Sequence, residues 1–185
     1  MCGIVGGISK IDIVPLMLKG LNHLEYRGYD SSGLVVLSKN NTLKRARSAG
    51  KVSNLKDHLN KRSTKIKGNI GIAHTRWATH GEPSDHNAHP HISNNSVSVV
   101  HNGIIENYVE LKNNQIEQGY LFSSETDTEV IAHAVHFAMQ SCTTLISSVQ
   151  LAINSLSGSF GIGVISPKYP DQIIAARRGS PLIIG

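Results

Sequence analysis

Cysteine at position 2, followed at once by Gly3, is the first residue whose type and place together suggest chemistry. A residue this small lets the initiator methionine be trimmed, which would leave a thiol and a free α-amine on one residue. The amine has an ordinary pKa of about 7.7–8.0 and the thiol one of about 8.5, so the amine can take the thiol's proton directly or through water. Nucleophile and base would then share a single residue. Taken alone, Cys2 still reads better as a small buried hydrophobe in a strand, because free cysteine is among the most buried residue types.

A second cluster shifts that balance. His74-Thr75-Arg76-Trp77-Ala78-Thr79-His80-Gly81-Glu82-Pro83 leaves an expected strand and enters a loop. Arg76 offers a planar fork that holds a carboxylate through two hydrogen bonds, and Thr79 and His80 are short donors that could complete the grip. A purely structural loop would more often show only Gly, Pro, Asn and Ser. His101-Asn102-Gly103 ends the next expected strand. Asn-Gly signals a hairpin turn, yet an asparagine amide beside a glycine N–H can also form an oxyanion hole for a tetrahedral acyl intermediate. The two readings stand level on local grounds. Asp127 lies in the first turn of an expected helix, where a carboxylate is favoured by the dipole, so capping is the stronger local reading and capture of a ligand ammonium the alternative. The histidines at 80, 86, 89, 91 and 101 lack cysteine or glutamate at ligand spacing, and metal binding is not expected.

The whole chain sets the frame for these residues. Its 185 residues suit one domain with a real core, and two cysteines cannot staple a domain of that size. The net charge of +5 is thinly spread and its basic stretches carry no interleaved aromatics, which argues against a nucleic-acid groove. No apolar run approaches the ~20 residues of a membrane helix, and no signal peptide is visible, so a cytoplasmic protein is expected. The apolar ending at 180–185 suggests a piece of a longer chain.

Periodicity supplies the elements. A buried glycine-rich strand is expected over 2–9, then a helix over 13–26 with Gly28 at its C-terminal cap. A hairpin follows over 33–38 and 42–49, with a short polar helix over 51–61 and strands over 69–75 and 96–101. Helices are expected over 107–118, 124–139 (opened by a capping box at Ser124 to Asp127) and 143–156, and two last strands over 158–166 and 172–177. Strands adjoin strands and helices come in runs, so the class is α+β with largely antiparallel sheets.

Assembled in order, these segments resemble the class II glutamine amidotransferases, and more narrowly the bacterial glutaminase domains of the glucosamine-6-phosphate synthases. The matching blocks are Cys2-Gly3-Ile4-Val5-Gly6, Leu24 through Ser31, Ile72 through Ser84, Asn87-Ala88-His89-Pro90-His91, Val99 through Asn107, Ser124 through His133 and Ala175 through Gly185. Trp77 between Arg76 and Glu82 favours that group over the glutaminase part of a purine-pathway phosphoribosyl transferase. A non-catalytic glutamine or amino-sugar sensor is the rival of another class, and it would have no need of a terminal thiol.

The resemblance implies a four-layer αββα sandwich of two mainly antiparallel sheets, the N-terminal-nucleophile hydrolase fold. It implies Cys2 as nucleophile with its own amine as base, and Asn102 with the Gly103 N–H as oxyanion hole. Arg76, Thr79 and His80 would hold the α-carboxylate of L-glutamine or L-glutamate, and Asp127 its ammonium. Arg27 would order the site around the cysteine, His89 would support it, and Trp77 would gate ammonia toward C-terminal sugar-isomerase domains. No cofactor or metal is implied, and the full-length enzyme would be a homodimer.

Overall fold

Every residue of the strand Ser31–Leu37 (β2) is buried, which a strand achieves only when both its faces are covered. Alternation sorts its side chains. Leu34 and Val36 pack with Val14, Met17, Leu21 and Leu55, whereas Val35 and Leu37 pack with Val100 and Ile165 from a different sheet. That split defines the architecture: helices lie outside, and two sheets face each other inside.

The computed structural model describes residues 2–78 and 81–185. The first sheet also holds Gly3–Ile8 (β1), Leu43–Ala49 (β3) and Ile70–Arg76 (β4), in the order β1-β4-β2-β3. Helices Val14–Leu24 (α1) and Val52–Lys61 (α2) cover its outer face. The second sheet holds His91–Ser93 (β5), Val97–Ile105 (β6), Gly158–Ser166 (β7) and Tyr169–Arg178 (β8), in that order. Its outer face carries Glu129–Ala138 (α4) and Leu145–Asn154 (α5) through Val130, Ile131, Val135, Leu145 and Val149, with Tyr108–Glu117 (α3) alongside. Named strands pair antiparallel throughout. The expected αββα sandwich is the fold.

Several local expectations need correction. β1 is an edge strand with partial burial, and Ile8 is exposed. The helix α1 stops at Leu24 and passes through a single 3-10 turn, Glu25–Arg27, so Gly28 does not cap it. Gly28 has extended backbone, and its value is closeness: a Cβ there would sit 2.8 Å from the carbonyl carbon of Arg76. The long loop after β4 contains a short strand, β5. The strand β6 does not end at His101 but continues through Asn102 and Gly103 to Ile105, paired with β7. No hairpin turn forms there.

The helix α4 begins at Glu129, so Asp127 precedes it rather than lying in its first turn. The serines that suggested a capping box instead serve Glu129. Its carboxylate accepts from the backbone N–H and hydroxyl of both Ser123 and Ser124, at 2.7–3.1 Å. The capping box that does form is Thr144 with Ser147, opening α5.

Candidate active site

Alternation along three strands brings the chemistry together. In β1 and β4 the even-numbered apolar residues, Ile4, Ile70 and Ile72, face the other sheet. Extending that parity one step further puts Cys2, His74 and Arg76 at the same end of the inter-sheet layer, where Gly3 pairs with Thr75. From the second sheet Val100 faces inward, and Asn102 follows it two residues on.

The contacts agree with this parity. The Asn102 amide nitrogen donates to the backbone carbonyl of Cys2 at 3.1 Å, across the two sheets. The Trp77 N–H donates to the Cys2 sulfur at 3.2 Å, and the thiol donates to the Trp77 carbonyl at 3.6 Å. Burial pushes the Cys2 thiol up, and the Trp77 backbone bond and the nearby Arg76 charge only partly offset this. A thiol in this setting needs a base to ionise it.

Gly103 holds a conformation closed to other residues. Its φ is +136°, and a Cβ would lie 2.0 Å from the Ser159 carbonyl oxygen. Two residues further along β6, the Ile105 N–H donates at 2.8 Å to one carboxylate oxygen of the buried Asp127.

Arg76 ends β4, nearly fully buried, and its guanidinium donates to the carbonyls of Gly81 and Glu82 at 3.2 and 3.3 Å. Burial lowers its pKa, against the pull of Cys2, Asp127, Asp30 and Glu125. Trp77 follows at the rim, 44% exposed, its ring edge-on to Tyr29. The Ala78 N–H donates to Asp30 at 2.8 Å, fixing the start of the loop. Thr79 and His80 lie outside the described residues. Arg27 closes the 3-10 turn just before Gly28, the glycine that abuts Arg76.

His89 is buried among other imidazole rings. Its ring stacks on His74 with centroids 4.1 Å apart and stands edge-on to His91, and its Nδ1 accepts from the His101 N–H. The four rings are buried and electrically neutral. Desolvation lowers His74 to about 3 and His101 to about 4, and holds His89 and His91 well below the usual value. Among the described residues no group of three His, Cys, Asp or Glu is arranged to hold a metal ion.

Sequence reasoning passed over two side chains that tie the parts together. Asn87, fully buried, donates to the Glu82 carbonyl and to the Glu125 carboxylate, and accepts from the Glu125 N–H at 2.9 Å. It thus joins the loop that Arg76 grips to the segment leading into Asp127. Gly81, with φ +75°, lets Asn87 approach; a Cβ there would lie 2.7 Å from the Asn87 amide nitrogen. His74 is the other, bonded to Asn102 at 2.9 Å. A glycine followed six residues later by an asparagine was the only signal for the first. Nothing local pointed to the second.

A thiol, an amide, an arginine and a carboxylate gather at one end of an αββα sandwich of the N-terminal-nucleophile hydrolase kind. The glutamine amidotransferase domain family matches residues 74–182, and the chain belongs to that family. The matched span starts at His74, but pairwise likeness covers all 185 residues. The chain is 52% identical to the glutamine–fructose-6-phosphate aminotransferase (isomerizing) of Legionella pneumophila strain Paris and 53% identical to that of Yersinia pseudotuberculosis. In both cases it covers the whole of this chain and 30% of the relative, so the chain spans under a third of the length of these enzymes.

Among solved structures, the allosteric regulatory enzyme of purine biosynthesis matches with a TM-score of 0.74 and 28% identity, over 89% of this chain and 36% of that one. The glutamine phosphoribosylpyrophosphate amidotransferase of B. subtilis matches with a TM-score of 0.72 and 25% identity, over 90% and 35%. Fold and likeness thus agree on a glutamine amidotransferase domain. No helix among the described residues is long and apolar enough to cross a membrane.

Proposed function

We propose that the chain hydrolyses L-glutamine to L-glutamate and ammonia through a thioester on Cys2. The observation that carries this reading is the bond from the Asn102 amide to the carbonyl of Cys2 itself. It holds the amide beside the thiol, so its second N–H can meet the oxygen of an acyl group attached there.

After removal of Met1, the α-amine of Cys2 takes the thiol proton. The sulfur adds to the side-chain carbonyl carbon of glutamine, and the carbonyl electron pair moves onto oxygen. Asn102 and the Gly103 N–H receive that oxyanion. The amine returns its proton to the departing nitrogen, the C–N bond breaks and ammonia leaves. Water then adds to the thioester, giving its proton to the amine, and the C–S bond breaks to release glutamate and restore the thiol. Arg76, with Thr79 and His80, holds the α-carboxylate, and Asp127 the ammonium. Arg27 and His89 support the site.

For the full-length protein we propose that the ammonia passes to fructose-6-phosphate in C-terminal sugar-isomerase domains, with Trp77 at the junction, in a cytoplasmic homodimer. The relatives at 52–53% identity are glutamine–fructose-6-phosphate aminotransferases, which supports this. Identities of 25–28% to the purine-pathway structures make that pathway the weaker assignment. The test mixes the chain, freed of Met1, with glutamine and fructose-6-phosphate and assays both products. Glutamate without glucosamine-6-phosphate is expected. No glutamate would overturn the glutaminase reading, and sugar product would overturn the division of labour.

A further inference from the structure

His74 Nε2 lies 2.9 Å from two acceptor positions, the backbone carbonyl of His101 and Oδ1 of Asn102. The polarity of this chain of contacts is dictated at both ends. The His101 carbonyl can only accept, so Nε2 must carry the proton. The Cys2 carbonyl can also only accept, so Asn102 must turn its NH2 toward Cys2 and its oxygen toward His74. His74 is wholly buried, and its Nδ1 has no hydrogen-bond partner among the described residues, so the ring is the neutral Nε2–H tautomer. One N–H is shared between the two oxygens.

We infer that His74 is a positioning residue that locks the amide of Asn102 in the one orientation that aims its NH2 at the nucleophile. The inference rests on the reading of Asn102 as an oxyanion donor. A flipped Asn102 would set its oxygen against the Cys2 carbonyl and its NH2 against the N–H of His74, losing both bonds at once. Without the His74 donor, Oδ1 of the half-buried Asn102 loses that bond, and the amide is free to rotate. The histidine is wholly buried behind Asn102, and its ring stacks on that of His89.

The tests separate this claim from the reading beneath it. In the protein, His74→Phe keeps a ring for His89 but removes the donor, and kcat should fall about 10- to 100-fold with KM for glutamine within about threefold. His74→Gln places an amide nitrogen with two N–H groups near the Nε2 position, enough for both acceptors, and should recover kcat to within about fivefold. In an Asn102→Ala background, His74→Phe should cost little further, because the group it positions is gone.

A folded His74→Phe with kcat within about threefold of wild type would overturn the proposal, as would full additivity with Asn102→Ala. An unchanged kcat in Asn102→Ala alone would instead overturn the oxyanion reading. Where His74→Phe does not fold, 15N NMR of labelled wild-type histidines decides: a His74 signal of the Nε2–H tautomer supports the lock, and the Nδ1–H tautomer overturns it.

Discussion

The back wall of the site is built on strands, whereas its rim is built on loop, and the two hold their residues by different means. Asn102 and Gly103 sit within β6, paired along their length with β7, and are backed by the buried rings of His74 and His89. Arg76 stands at the last position of β4, and its fork grips the carbonyls of Gly81 and Glu82, in a loop fastened elsewhere through Asn87 and Asp30. Strand-held groups are in place before substrate arrives, as stabilisation of a developing charge requires. At the rim, Arg76 grips loop carbonyls that it can exchange for another acceptor, as the proposed capture of an incoming carboxylate requires. The wall should therefore govern kcat and the rim KM.

Gly103→Ala should have the largest effect, because both strain and a clash with the Ser159 carbonyl follow from one methyl group. Glutamine hydrolysis should drop at least about 10³-fold, and the urea midpoint should fall with it. A variant of near-normal activity would show that the wall is not rigid. Asn102→Ala comes next, lowering kcat by ~10²–10³ with glutamine binding little changed. An effect confined to KM would move Asn102 from wall to rim.

Arg76→Lys keeps the charge and loses the fork, so KM for glutamine should rise about 10- to 100-fold and inhibition by glutamate should weaken. An unchanged KM would pass the carboxylate to another residue, with Arg27 the first candidate. Asn87→Ala should act through the rim alone, raising KM several-fold while kcat holds; loss of kcat would mean that wall and rim are coupled through Glu125 and Asp127.

The wall carries a cost that the rim does not. His74 and His101 bind protons only near pH 3 and 4 in the folded protein, but near 6.5 when unfolded. Between those values the unfolded chain binds more protons, so stability is full above about pH 6.5 and declines as pH falls. The slope approaches roughly 1.4 kcal/mol per pH unit for each such ring. Urea unfolding at stepped pH reads it, and a flat profile from pH 7 to 4.5 would mean that these rings are not neutral in the fold.

Periodicity made most elements legible. The hairpin at 33–49 has strand-forming runs around Lys39-Asn40-Asn41, and α1 carries Val14, Met17 and Leu21 at helical spacing. The strand β5 was not legible, because three residues give no alternation to read. Asn102-Gly103 was ambiguous, since the dipeptide that favours a hairpin turn also supplies the unusual backbone that this strand needs. Asp127 reads as a helix start because Ser124 and Asp127 have capping spacing, yet Ser124 serves Glu129 and Asp127 accepts from Ile105. Contacts between the sheets leave no local trace. His74 and Asn102 are 28 residues apart in sequence, and only the facing of β4 and β6 joins them. The candidate residue types were therefore visible in the chain, and what holds them together was not.

The central claim is a glutamyl thioester on an N-terminal Cys2. Protein mixed with glutamine, quenched rapidly in acid and digested, can be read by mass spectrometry at its N-terminal peptide. The expected peptide begins at Cys2 and carries a glutamyl group lost on treatment with hydroxylamine. Full glutamine turnover by protein whose N-terminal peptide retains Met1, or a glutamyl group on any other residue, would contradict it.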